Sequence, residues 1–287
     1  MTVAILGPGA VGGVLAAGFI EHGVDVVCVA RPDTAAILMS QGLSLRQGQR
    51  DVAVRPRVVT ELRVRVELLL VTVKAPALGE ALDRVEAAPE VAVPLLNGIE
   101  HMETLRLRLP GTTVAGASIG RIEAWLERPG VVVQPTPSVV MTVASDAPFE
   151  LLRRSAVEVL VDGSAKEVLW EKLARQAATA AATAITQRPV GELRTDPEWG
   201  PRFRTAIDEA CAVAAADGVT LSPQAEWEII ESMPPLLTSS TARDIAAGVP
   251  SELDAITGAA VRAGRRLGVE TPVLDQMFDE ACRASSR

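Results

Sequence analysis

Gly7, Gly9 and Gly12 have the G-x-G-x-x-G spacing of a loop that cradles a pyrophosphate. Each position does different work: Gly7 makes the tight turn, Gly9 lets backbone amides approach the anion, and Gly12 lets helix and strand pack closely. Pro8, Ala10 and Val11 complete the loop, and the run from Val11 to His22 reads as a helix. Its N-terminus offers unpaired N–H groups and positive dipole to the anion. The pattern alone is weak, but here it lies between two Val-rich runs, Thr2–Leu6 and Asp25–Ala30, which makes it a dinucleotide site. The second run ends at Ala30-Arg31. An acidic residue there would hold a ribose 2′-hydroxyl, whereas an arginine suits a 2′-phosphate, so Arg31 points to NADPH; Asp33 lies near enough to compete for the ribose.

Four further features stand out. Lys74 follows the run Leu68–Val73, and Asn97-Gly98 follows the run ending at Leu96. Both are placed at the carboxyl ends of strands, where ligands bind in open α/β sheets. Lys172 lies on an expected helix and Glu252 near the start of a later one. Each has a plainer reading: a strand-end lysine is usually solvated, Asn-Gly is usually a turn, a helical lysine snorkels, and a glutamate favours a helix N-terminus.

The elements that must position these residues follow from the hydrophobic pattern. Thr2–Leu6, Asp25–Ala30, Glu67–Val73, Val91–Leu96 and Thr113–Ala117 read as strands of a parallel sheet buried on both faces. Helical stretches between several of them make βαβ units and a Rossmann-type, doubly wound α/β domain. Val131–Gln134 and Ser138–Val143 read as further strands, with an antiparallel arrangement open to them. Near Asp162-Gly163 the texture becomes helical and Ala-rich. Ser164 and Glu167 have the capping-box spacing, and the helix body holds Val168, Leu169, Trp170 and Leu173, followed by the small residues 177–184. A later helix is expected from Ser251 as N-cap to Gly268 as C-cap, and a last one opens at Thr271-Pro272. The expected division is an NADP-binding domain over residues 1–163 and an all-α catalytic and substrate domain over residues 164–287.

Composition narrows the function classes. The 287 residues are 48% apolar and 22% charged with a net charge of −8, which argues against a nucleic-acid phosphate binder. With 4 Phe, 4 Trp and no Tyr there are few surfaces on which bases could stack. No apolar run reaches the roughly 20 residues of a membrane span, and no Lys or Arg precedes Arg31 as a signal peptide would need. The odd, scattered Cys28, Cys211 and Cys282 read as free thiols of a reducing cytoplasm. His22 and His101 form no zinc-ligand pair, so no metal is expected, and His101 reads as a loop residue; a nucleophile-elbow G-x-S-x-G is absent as well.

Taken in order along nearly the whole chain, these pieces resemble the ketopantoate reductase (2-dehydropantoate 2-reductase) family. The resemblance is carried by Gly7-Pro8-Gly9-Ala10-Val11-Gly12-Gly13, residues 71–75 (VTVKA), Leu96-Asn97-Gly98, residues 169–174 (LWEKLA), residues 191–194 (GELR), Ser239-Ser240, Asp244-Ile245, Glu252-Leu253-Asp254 and residues 268–272 (GVETP). It implies NADPH-dependent reduction of a small 2-oxo acid, 2-dehydropantoate, to pantoate in pantothenate biosynthesis, with the substrate in a cleft between domains. By that resemblance Lys172 is the general acid, Glu252 positions Lys172 or a substrate hydroxyl, Asn97 bridges cofactor and substrate, Ser240 binds substrate, and Lys74 lies near the nicotinamide. A homodimer is the assembly kept in view. The family usually has Asn four and eight residues after the catalytic lysine, where this chain has Gln176 and Ala180. Gln176 still offers an amide to substrate; Ala180 offers nothing. Two alternatives therefore stay open: a reductase of another 2-oxo acid or ketone, and a non-catalytic NADP-binding sensor, against which the retention of Lys172 and Glu252 speaks.

Overall fold

The Val- and Leu-rich runs that alternate with helices form a six-stranded parallel sheet in the computed structural model, which describes residues 1–120 and 122–285. In chain order the strands are β1 (Thr2–Leu6), β2 (Asp25–Val29), β3 (Leu43–Gln47), β4 (Arg50–Val54), β5 (Arg57–Val59), β6 (Leu68–Val71) and β7 (Val91–Pro94). They continue with β8 (Thr113–Val114), β9 (Ala117–Gly120), β10 (Trp125–Arg128), β11 (Val131–Gln134), β12 (Val140–Val143) and β13 (Glu158–Val161). The main sheet has the order β5-β2-β1-β6-β7-β8. Counted along the chain this is the doubly wound order with its crossover point beside the first strand. Val3 pairs with Val26 on one side and with Leu68 on the other, all neighbours running parallel. Residues Val3–Leu6 and all of β6 are buried, which is why their sequences are continuous apolar runs with no polar alternation.

Four helices connect these strands: α1 (Ala10–Glu21), α2 (Pro32–Gln41), α3 (Leu78–Leu82) and α4 (His101–Arg108). His101 opens α4 and is buried, so the expectation of a loop histidine is corrected. A second sheet, β10-β11-β3-β4, and a third, β13-β12-β9, stand beside the main one in the same compact unit. Both orientations occur in them: β11 runs antiparallel to β10 and parallel to β3, and β12 antiparallel to β9 and parallel to β13. The single strand expected over 113–117 is two strands in different sheets. Ala115 donates to Ala92 O, and Gly116, between the two strands, sits so close to Ala165 that a Cβ would lie 2.5 Å from its side chain. A short helix α5 (Phe149–Leu152) and a one-turn segment Arg153–Ser155 lead to β13.

The compact units are Met1–Leu96 with His101–Val168, and Asn97–Glu100 with the chain from Leu169 onward. Helix α6 (Ala165–Thr186) begins at the expected capping box: Ser164 N donates to Glu167 Oε2 at 2.6 Å and Glu167 N to Ser164 Oγ at 3.4 Å. After it come α7 (Val190–Leu193), α8 (Trp199–Ala216), α9 (Pro223–Ser232), α10 (Ser240–Ala246), α11 (Ala259–Leu267) and α12 (Pro272–Ser285). Buried Ala177, Ala178, Ala181, Ala182 and Ala184 join Trp170, Phe203 and Ile256 in one core, where the small side chains permit close helix approach. The helix expected from Ser251 starts later: it begins at Leu253 and passes through a π-helical turn, Asp254–Gly258, before α11. Ser251 Oγ accepts only a long 3.5 Å bond from Leu253 N. Gly268 is the expected left-handed C-cap, with φ 72°. Among the described residues no helix is long and apolar enough to cross a membrane.

Helix α1 lies so close to the Arg153–Ser155 segment that a Cβ on Gly18 would stand 1.9 Å from the Ser155 carbonyl oxygen. A backbone atom cannot yield as a flexible side chain can. Gly18→Ala should therefore destabilise the protein by about 1–3 kcal/mol, read as a lower urea midpoint with an unchanged m value.

Candidate active site

The loop after β1 is built by packing on one side and left open on the other. Gly7 has φ 88°, and a Cβ there would lie 2.4 Å from Val73 Cγ1. At Gly12 a Cβ would meet Thr72 Oγ1 at 2.5 Å and Gly7 O at 2.6 Å. Gly9 differs: its Cβ would meet no atom nearer than 3.9 Å, so nothing within the fold demands a glycine there. The open space leaves room for a ligand to approach the backbone there. Pro8 is buried, Ala10 opens α1, and Val11 packs partly buried against the core. Gly9 N-caps α1 with no side-chain hydrogen bond and no acidic residue in the first turn, so the positive end of the helix is uncompensated. Thr72 Oγ1 donates to Gly7 O at 2.7 Å and braces the turn. These features fit the pyrophosphate of a dinucleotide.

Arg31 is exposed at the N-cap of α2 and forms no ion pair among the described residues. It lines a cavity of about 380 Å³ with Pro32, Asp33, Thr34, Glu80 and Arg84. Lys74 stands exposed beyond the carboxyl end of β6, before the turn Ala75–Ala77.

A polar network occupies the helical unit. The short segment from Asn97 to Glu100 belongs to that unit although the chain on both sides of it does not. Ile99 packs against the helical core, and Gly98, at φ 85°, lies where a Cβ would be 2.0 Å from Ala255 O in the π turn. Positive φ and contact with backbone both require glycine there. Asn97 is thereby delivered to α6 and Glu252. Its Oδ1 accepts from Lys172 Nζ at 2.8 Å and from Gln176 Nε2 at 3.1 Å, and its Nδ2 donates to Glu252 Oε2 at 2.9 Å. Lys172 and Gln176 are one turn apart on α6, which places both on one face. Thr257 Oγ1 donates to Ala177 O at 2.8 Å and locks the π turn onto α6.

Burial pushes the Lys172 amine down to about 8 from 10.5; the Glu252 carboxylate opposes that fall and the Arg175 guanidinium adds to it. Arg175 is itself held by Glu226 at 2.8 Å. An amine in this range is cationic at neutral pH yet can release its proton readily, which is what a general acid needs.

Thus Lys172, Asn97, Glu252 and Gln176 come together, while Ser240 does not join them. Ser240 is exposed at the start of α10; its neighbour Ser239 is the N-cap, accepting from Ala242 N at 3.0 Å and sharing a 2.7 Å hydrogen bond with Thr183. Thr72, Arg84 and Thr257 carry parts of these sites that the residue pattern did not reveal. A compositional signal does exist for Lys172. Of 28 basic residues only Lys74, Lys166 and Lys172 are lysines. Arginine keeps its proton in a protein, so a proton donor among the basic residues has to be one of these three, and Lys74 and Lys166 are exposed while Lys172 is not.

Models of the ketopantoate reductase family, PanE/ApbA, match residues 3–145, and the model of its C-terminal part matches residues 164–281. The 2-dehydropantoate 2-reductase of Caulobacter vibrioides is 30% identical over 284 residues, 94% of each chain. Among solved structures, a PanE/ApbA family ketopantoate reductase from Ralstonia eutropha has a TM-score of 0.87 at 28% identity, covering 100% of this chain and 99% of that one. D-mandelate dehydrogenase, solved with NADH and anilino(oxo)acetate, has a TM-score of 0.89 at 21% identity over 100% and 98% of the two chains, a likeness of fold alone. With the parallel sheet, the helical region and both family models spanning the chain, this protein belongs to the ketopantoate reductase family of oxidoreductases.

Proposed function

We propose that the protein uses NADPH to reduce 2-dehydropantoate to pantoate, a step of pantothenate synthesis in a reducing cytoplasm. The observation that carries this reading is the Lys172–Asn97–Glu252 network. When bound, NADPH supplies the hydride that goes to the carbonyl carbon. Lys172 stabilises the negative charge growing on the carbonyl oxygen and then gives that oxygen its proton, leaving a neutral amine and an alcohol. Asn97 holds the ammonium by its amide oxygen, and Glu252 orients that amide while its charge favours the protonated lysine. Both acceptor sites of the Asn97 amide oxygen are engaged and one N–H goes to Glu252, so its first role is to aim the proton donor, while its second N–H would be the one to meet substrate. The loop Gly7–Gly12 and Lys74 would hold the dinucleotide, Arg31 its 2′-phosphate with Arg84 beside it, and Ser240 and Gln176 the substrate.

A second reading, reduction of a different 2-oxo acid, is favoured by one feature. Ala180 is 1% exposed and offers no hydrogen bond, and Gln176 spends its amide nitrogen on Asn97 while its Oε1 is buried without a hydrogen-bond partner among the described residues. Loss of one polar partner to a bound hydroxyl or carboxylate costs about 1–3 kcal/mol, enough to change substrate preference while leaving hydride transfer intact. Following NADPH oxidation with 2-dehydropantoate beside other 2-oxo acids separates the readings; tight NADPH binding with no turnover of any acid would instead support a sensor.

Lys172→Ala should lower kcat by about 10²–10⁴-fold and leave NADPH affinity unchanged. If cofactor affinity falls and kcat holds, the lysine is not the acid. Lys172 is cationic below about 8 and neutral above it, so reductive kcat should be flat at lower pH and decline tenfold per pH unit above that point. A profile flat to pH 10 would exclude proton donation by Lys172. Arg31→Ala should raise the Kd for NADPH much more than that for NADH, in fluorescence titrations of both; equal effects would remove Arg31 from 2′-phosphate recognition.

A further inference from the structure

The network around Lys172 is anchored at a point that touches none of the proposed reacting groups. Arg262 on α11 forks onto Glu100, with Nε to Oε1 at 2.8 Å and Nη2 to Oε2 at 2.7 Å. The same guanidinium reaches the π turn, where Nη1 meets Asp254 Oδ1 at 2.7 Å and Nη2 meets the Asp254 carbonyl at 3.0 Å. Glu100 is three residues after Asn97, and Asp254 is two residues after Glu252. One planar group therefore joins the segment that carries Asn97 to the turn that follows Glu252. Arg262 is 38% exposed and Glu100 44%, so as a surface ion pair the contact would add little to stability. A bidentate fork fixes direction as well as distance, and that is its use here.

We propose that Arg262 is a positioning residue: by tying Glu100 to Asp254 it keeps the Asn97 carboxamide aligned between Lys172 and Glu252. Gly98 against Ala255 and Ile99 against the helical core define where the segment lies, and the fork stops it from rotating about that contact. The catalytic part of this inference rests on Lys172 being the proton donor; the mechanical part does not. The charged groups acting on Lys172 are Glu252 and Arg175, and neither is bonded to Arg262, so an effect of Arg262 on the lysine passes through the segments it ties, the one that carries Asn97 and the turn that follows Glu252.

The chain has three lysines, which makes a direct readout available. Lysine labelled with ¹³C at Cε gives three resolvable signals, and Lys172→Arg identifies the one from Lys172. In Arg262→Ala its titration midpoint should move up from about 8 toward the ordinary 10.5, as the loosened site admits water. With substrate turnover, kcat should fall about tenfold at unchanged KM for NADPH, and Arg262→Lys, which keeps the charge and loses the fork, should lie between. An unchanged Lys172 titration in Arg262→Ala overturns the proposal, whatever happens to the melting temperature. Should that variant fail to fold, Glu100→Gln decides in the same way: an upward shift supports the strap and no shift overturns it. If the wild-type protein turns over no 2-oxo acid, the functional reading falls while the titration still tests the strap.

Discussion

The amide of Asn97 is the interaction on which the candidate site depends. An ammonium and a carboxylate placed side by side in a half-buried setting would attract each other without any preferred direction. The carboxamide between them imposes one, since its oxygen can only accept and its nitrogen can only donate. Lys172 must therefore lie on one side and Glu252 on the other. Everything nearby serves to hold that amide: Gly98 allows the segment to press against Ala255, Ile99 sinks into the helical core, and Thr257 ties the π turn to α6. Interruption of a helix by a π turn costs regularity, and such turns recur where a side chain must be re-aimed.

The phosphate loop follows a different logic. Its glycines divide into those demanded by the fold and the one that is not. Gly7 and Gly12 are fixed by Val73, Thr72 and the loop's own carbonyl, so they would be needed with no ligand at all. Gly9 faces open space, which leaves its backbone open to the approach of an anion. Arg31 lines a cavity with Arg84, and Asp33 and Glu80 share the lining; under the proposed function this is where the 2′-phosphate would sit.

Long apolar runs were readable as strands because β1, β6 and most of β2 are buried on both faces and carry no competing polar residues. Strands β3, β4 and β10 were not readable. Their residues include Arg, Gln, Ser and Glu, β10 is wholly exposed, and the two hairpins β3–β4 and β10–β11 become one sheet only where β11 pairs with β3, distant in the chain. The helix boundaries at Ser164, Gly268 and Pro272 were legible because caps are local chemistry. The π turn was not, because it depends on packing against α6.

By itself the sequence marked the G-x-G-x-x-G loop, the succession of βαβ units and the helical second half, and offered Lys172, Asn97 and Glu252 as candidates. The first three rest on spacing, periodicity and capping, which act within a few residues; the roles expected of Lys172, Asn97 and Glu252 are what the resemblance to the family implies. Tertiary structure alone decided that Asn97 joins the helical unit while the strand before it does not, that its amide separates Lys172 from Glu252, and that Ser240 stays outside the network. Residues 97, 172 and 252 are brought within 3 Å hydrogen bonds by packing across 155 positions of chain. Local pattern carries no information about such distances, because burial and backbone contact are properties of the folded whole.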